Sequence, residues 1–113
     1  MKANELRIGN LIQWKSTGDI ESVKDIDTAG RKYQNINNIN ISDCEPIEIT
    51  KEWIKRFGFV EKNELFVYKG DNFQIFLYPN ISDDHYHFSL GKWLVVNVWY
   101  VHQLQNLIYT LFG

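Results

Sequence analysis

The segment Lys92–Phe112, KWLVVNVWYVHQLQNLIYTLF, changes its hydrophobic period midway and constrains the fold more than any other stretch. From Trp93 to Trp99 two sets alternate. One is Leu94, Val96 and Val98; the other is Trp93, Val95, Asn97 and Trp99. Period-two spacing puts them on opposite faces of a strand. Both sets are mainly apolar, which predicts a central strand covered on both sides. From Val101 the period becomes three or four. Val101, Leu104, Leu107/Ile108 and Leu111 mark one face of a helix, with His102, Gln103, Gln105 and Asn106 mostly off it. Each tryptophan can withdraw about 150–250 Å² from water. At roughly 25 cal/mol per Å² that is about 4–6 kcal/mol as an upper estimate. On a buried face the Asn97 amide needs partners, since leaving it unpaired costs about 1–3 kcal/mol. On an open face Trp93, Asn97 and Trp99 would form an interface. Core packing is the favoured reading of the two.

A chain of 113 residues suggests one domain, or two small lobes sharing a core. Apolar content of 44% and aromatic content of 15% are those of a globular protein. The net charge is −2, and Lys and Arg are scattered singly apart from Arg31-Lys32. A duplex nucleic-acid binder carries a basic stripe, so that class is excluded. No apolar run reaches the ~20 residues of a membrane span. The start, MKANELRIGN, has no signal-peptide core. The single cysteine, Cys44, rules out an internal disulfide framework. A cytoplasmic location is expected. Abundant Asn, Ile, Lys, Tyr and Phe, with Lys above Arg, point to an AT-rich gene.

In chain order, Arg7–Lys15 reads as a strand with Leu6, Ile8, Ile12 and Trp14 on one side and Asn10 interrupting. Ser16-Thr17-Gly18-Asp19 is a hairpin turn. Ile20–Asp27 is a second strand, although its apolar residues fall three apart. Thr28–Arg31 is a turn, and Tyr33–Ile36 and Ile39–Ile41 are short strands. Asn35–Asn40 (NINNIN) reads as a strand pair or turn. Short strands with turns at this spacing predict a small open barrel of the SH3-like kind over residues 1–49. Thr50 is a helix N-cap, Glu52 complements the helix dipole, and Lys55 and Arg56 close the last turn. Trp53, Ile54 and Phe57 form the apolar face. Gly58 stands at C′, with Phe59 placed for the closing contact. A meander follows: Glu64–Lys69, Phe73–Tyr78, His85–Leu90 and Trp93–Trp99. The predicted class is α+β, with residues 50–113 forming a four-stranded antiparallel sheet flanked by a short and a longer helix that pack on its apolar face. The two parts are expected to pack as one compact domain.

Three segments, MKANELRIGN, EPIEITKEWIKRFGF and YVHQLQNLIYTLFG, together resemble a family of small proteins of phages and prophages of Bacteroidota. Those carry an ELRIGN-type start, a TEEWL–KFGF-type middle and a YVHQLQNL-type end. The sequence departs from them at Ile47-Glu48-Ile49, where a Pro-Leu pair is common, and it stops at Phe112-Gly113 without the acidic tail. The resemblance carries no catalytic residues. It implies a mobile-element accessory protein that acts on host machinery or host defence.

Asp83-Asp84-His85-Tyr86-His87 is the cluster with ligand-like chemistry. His85 and His87 would project from one side of a strand, and two imidazoles with a carboxylate can hold zinc or iron. A fixed site needs three or four ligands, however. The commoner reading is a polar loop running into a half-exposed strand. Nucleophilic catalysis needs a Ser or Cys with an oriented base. Cys44 lies between Asp43 and Glu45, which raises a thiol pKa. There is no Gly-rich phosphate loop and no nucleophile elbow. Arg31, Lys32 and Tyr33, with Tyr78, Tyr86 and Trp14, could form a stacking and phosphate pocket for a small nucleotide. His102 could meet an anion at the start of the last helix. For each of these residues, core packing or capping is the more ordinary role.

The sequence therefore predicts a non-catalytic binding protein with no cofactor, working through a host protein partner. Homo-oligomerisation through the Trp93–Trp99 strand or the last helix is compatible with that. The alternatives are a sponge for a small nucleotide signal and a metal-dependent hydrolase built on His85 and His87.

Overall fold

The computed structural model describes residues 5–27, 35–70, 74–80, 84–90 and 94–112. The architecture is α+β. The chain divides into two compact units, Met1–Ile47 with Val101–Gly113, and Glu48–Tyr100. The final helix thus groups with the N-terminal strands, whereas the sequence pattern attached it to the meander.

In the first unit, β1 (Leu11–Trp14), β2 (Ile20–Ser22) and β6 (Cys44–Pro46) form a sheet of order β2-β1-β6. The β1–β2 hairpin closes where Gly18 takes φ +73° and its N–H donates to the Trp14 carbonyl at 2.7 Å. Strand β6 lies on the edge, where Pro46 costs no central ladder bond. A second sheet joins β3 (Ile26–Asp27), β4 (Asn35–Ile36) and β5 (Ile39–Asn40). The NINNIN stretch is a hairpin. Asn37 and Asn38 occupy its two-residue turn at φ 54° and 64°, the conformation asparagine tolerates best after glycine. The Asn37 Oδ1 also accepts from the N–H groups of Lys24 and Asp25, at 2.7 and 3.0 Å. The turn thereby ties down the break between β2 and β3. That break explains the three-residue spacing of Ile20, Val23 and Ile26: Ile20 is on β2, Ile26 on β3, and Val23 in the link between them. Leu6, Ile12, Val23, Ile36 and Cys44 form a common cluster. The thiol of Cys44 is pushed up by burial, with Asp43 and Glu21 acting the same way.

The strand predicted from Arg7 starts only at Leu11. Residues Arg7 to Asn10 make a turn instead. The Asn10 N–H donates to the Arg7 carbonyl at 3.0 Å, and Gly9 sits at φ +94°. Positive φ at the third turn position belongs to a type II turn and favours glycine. Ile8, expected on the same side as Leu6 and Ile12, is therefore exposed. The last helix, α2 (Val101–Phe112), fixes this turn with its amide side chains. The Leu11 N–H donates to Gln105 Oε1, and the Asn10 amide donates to Asn106 Oδ1, both at 2.8 Å. The Asn106 amide in turn donates to the Glu5 carbonyl at 3.1 Å.

By spacing His102 lies mostly off the apolar face, yet it is only 2% exposed, alongside the fully buried Val101 and Leu104. Burial lowers its pKa below the ordinary 6.5, while the nearby Glu5 carboxylate acts the other way. A base with a lowered folded pKa binds fewer protons than in the unfolded chain, so stability rises with pH across that window. Unfolding free energy is expected to decline as pH falls from about 6.5 towards the lowered folded value. In His102→Gln this part of the decline should disappear. A wild-type urea midpoint that stays flat over that interval would contradict the assignment.

The second unit begins with α1 (Lys51–Arg56). The Thr50 hydroxyl accepts from the Trp53 N–H at 3.4 Å, with Glu52 in the first turn and Lys55 and Arg56 in the last. The C-terminus is a Schellman motif: Gly58 N–H donates to the Lys55 carbonyl at 3.0 Å and Phe59 N–H to the Ile54 carbonyl at 3.4 Å. Gly58 has φ +95°, and a Cβ there would lie 3.2 Å from the Tyr68 ring. Ile54 and Phe59 are buried.

Five strands follow, ordered β11-β10-β9-β8-β7, all antiparallel. They are β7 (Val60–Lys62), β8 (Leu65–Lys69), β9 (Gln74–Pro79), β10 (Tyr86–Leu90) and β11 (Leu94–Val98). The sequence pattern gave four strands. It missed β7, which is short and exposed on all its residues. The β7–β8 turn is Asn63-Glu64, with both residues at positive φ, 48° and 69°. That is type I′ geometry, which wants glycine second. Glu64→Gly should therefore raise stability by about 0.5–1 kcal/mol, relief of the left-handed strain outweighing the added freedom of the unfolded chain. A lower thermal midpoint would argue against this turn. One sheet face carries the core row Phe66, Leu77, Phe88 and Val96, in register across four strands. The strand expected at the centre, β11, lies at the edge.

Candidate functional site

Side chains with usable chemistry gather where β9 and β11 end and β10 begins. Cross-strand register aligns Tyr78, His87 and Asn97 on the face opposite the core row. His85 and His87 share one side, as period two requires, with ring centroids 5.2 Å apart. The Asn80 N–H donates to the His85 carbonyl at 3.0 Å, closing the loop between β9 and β10.

His85 is held from two directions. Its Nδ1 lies 2.7 Å from Asp84 Oδ1 and donates to the carboxylate. The Trp99 indole stacks on the imidazole, with centroids 4.0 Å apart and planes 19° from parallel. His85 is only 8% exposed. His87 faces two amide oxygens, Asn97 Oδ1 at 2.8 Å from Nδ1 and Asn80 Oδ1 at 3.3 Å from Nε2. An imidazolium donates to both. A neutral ring donates to one, and the other amide then turns its nitrogen inward. Here the Asn97 amide has the partner it needs, and it lies on an exposed face.

This cluster is an orienting network. Among the described residues no group of three His, Cys, Asp or Glu side chains is close enough to hold a metal ion. Its visible effect is to fix Asn97 and Trp99, and with them the outer side of β11. Val95, two residues before Asn97, is 69% exposed, and Trp99 is partly exposed. The expectation of a strand covered on both sides is thus corrected. Its two-sided apolar pattern serves a buried face at Val98 and an open one at Val95, Asn97 and Trp99.

The other candidates are dispersed. Tyr78 is exposed on the outer face, stacked near Phe76 at 6.2 Å between centroids. Tyr86 is buried on the opposite face, edge-on to Phe66 at 6.1 Å. The two tyrosines do not share a pocket wall. Arg31, Lys32, Tyr33 and Trp93 lie outside the described residues. Trp14 is in the first unit, its indole N–H donating to Glu21 at 2.9 Å. His102 is interior to that same unit, which suits packing better than anion capture. Sequence reasoning missed Asn80 and Val95. The first looked like a loop residue, and the second was assigned to a covered face. No helix among the described residues is long and apolar enough to cross a membrane. No family model, curated protein or solved structure matches the chain.

Proposed function

We propose that this chain is a non-catalytic binding protein that takes a partner protein along the outer edge of β11. The observation that carries this is the exposed run Val95, Asn97 and Trp99 on an edge strand, braced from behind by His85 and His87. Edge strands offer unpaired N–H and C=O groups to an added strand, and alternate side chains supply specificity; here the added strand would run along β11 up to Trp99, whose carbonyl already accepts from the Ile49 N–H at 3.0 Å. A rigid, half-exposed tryptophan is the kind of residue that dominates such contacts. The resemblance to phage and prophage proteins supplies the setting: a bacterial cytoplasm, with host machinery or host defence as the source of the partner. Within this reading the small sheets of the first unit are the walls of a partly open barrel of the SH3-like kind. Two three-stranded antiparallel sheets supplying one shared cluster support that assignment.

A photocrosslinking side chain in place of Val95 is expected to capture one host protein in living cells, and Trp99→Ala should abolish the capture. The same probe at Lys62, on the opposite edge strand β7, is the control. Equal capture at both positions, or none at either, would sink the proposal. A crosslink to a second copy of the chain would replace the host partner with a homo-oligomer.

A further inference from the structure

The first unit contains a cavity of about 530 Å³ between the turn at Arg7 to Asn10 and the helix residues Gln105, Asn106 and Tyr109. That volume is in the range of small-molecule sites. Its walls differ sharply in character. The floor is a set of amides already committed to one another: Gln105 holds the Leu11 N–H at 2.8 Å, and its own Nε2 donates to the Gly9 carbonyl at 3.3 Å. Asn10 bonds Asn106 at 2.8 Å, while its Oδ1 accepts from the Arg7 N–H at 2.8 Å. The rim, by contrast, is uncommitted. Ile8 and Tyr109 are each 64% exposed, large exposures for side chains of their size. Among the described residues the Arg7 guanidinium has no ion-pair partner. Gly9, at φ +94°, has nothing within 4 Å of where a Cβ would stand, so the backbone there is open to close approach.

From this geometry we infer a binding site for a small, flat-ringed molecule that carries a phosphate or carboxylate. A tyrosine face and a branched aliphatic side chain suit a planar ring. A guanidinium presents paired donors that match a phosphate or carboxylate edge. The rigid amide floor keeps the turn that carries Arg7 and Ile8 in place, so little ordering is needed on binding. None of these residues belongs to the β11 edge, and the inference stands independently of the protein-binding reading.

The test is two-dimensional NMR of the full chain with four probes: adenosine 5′-monophosphate, indole-3-acetate, adenosine and inorganic phosphate. The first two carry both a ring and an anion, and the last two carry one each. At least one ring-bearing anion is expected to shift the amide signals of Gly9, Asn10 and Tyr109. Adenosine, which lacks the charged contact, and phosphate, which lacks the ring contact, should each bind at least about tenfold more weakly. Arg7→Gln and Tyr109→Ala should each weaken binding by a similar factor and leave the remaining spectrum in place. Response to the monophosphate alone would identify the anion as a phosphate; response to indole-3-acetate alone would identify a carboxylate. No shift with either ring-bearing anion, shifts unaltered in Arg7→Gln, or shifts that track protein concentration instead of probe would overturn the inference.

Discussion

Phe88→Ala is expected to cost about 3–5 kcal/mol, the range for emptying a fully packed aromatic site. Phe88 has no exposed surface, and its neighbours across the sheet are Leu77 and Val96. Leu77 and Phe66, next along the same row, are equally shut off from water, so the cavity has few flexible side chains to collapse into it. Single domains are held by only about 5–15 kcal/mol, so the variant should sit near the edge of unfolding. Denaturant titration of the wild type and the variant measures the loss. Val95→Ala is the matched control. It removes apolar atoms from the same sheet at an exposed position and should change stability by no more than about 0.5 kcal/mol. Similar losses at both positions would mean that the two sheet faces do not differ in burial.

Asn106→Ala is expected to cost about 2–4 kcal/mol, because it strips partners from two groups at once. The Asn10 amide loses its acceptor, and the Glu5 carbonyl loses its donor. Asn10 is almost fully buried, so water cannot readily replace the missing bond. A double-mutant cycle with Asn10→Ala isolates the direct pair, and the coupling should be about 1–2 kcal/mol. Strict additivity would mean that the two amides act separately, and the turn at Arg7 to Asn10 would then have to be fixed by something else.

Legibility in the sequence followed the range of the interactions. Every signal for α1 lies within ten residues of it, from the Thr50 cap to the Gly58 exit, and the helix appears with the bounds and caps those signals imply. The strands β8 to β11 were legible because each alternates or runs apolar between turn residues. Strand β7 was hidden because an exposed edge strand needs no apolar residues, and its turn uses Asn63-Glu64 where glycine would have signalled it. The centre-versus-edge error at β11 has a similar origin. A strand apolar on both faces is what a central strand requires, but an edge strand with a working outer face shows the same pattern. At the site, the shared side of His85 and His87 followed from period two. The stacking of Trp99 on His85 did not, because it depends on where β11 ends relative to β10. The amide clamp was the least legible feature. Asn10, Gln105 and Asn106 read as surface polar residues until the fold brings residues |i−j| = 94 to 101 apart into contact.

That clamp also has a consequence for biosynthesis. Residues Glu48 to Tyr100 form a unit spliced into the middle of another, with both of its ends stitched locally. Glu48 bridges Tyr100, and just outside it the Val101 N–H donates to the Ile47 carbonyl at 2.8 Å. On the ribosome, the inserted unit has all its strands before α2 is translated, so it can mature first, while the N-terminal strands wait for a helix that emerges last. Contacts spanning nearly the whole chain close slowly. The waiting strands are the stretch most open to chaperones and proteases during synthesis. The same stitching makes the insert separable: joining Ile47 directly to Val101 leaves the outer unit's clamp with all of its own residues.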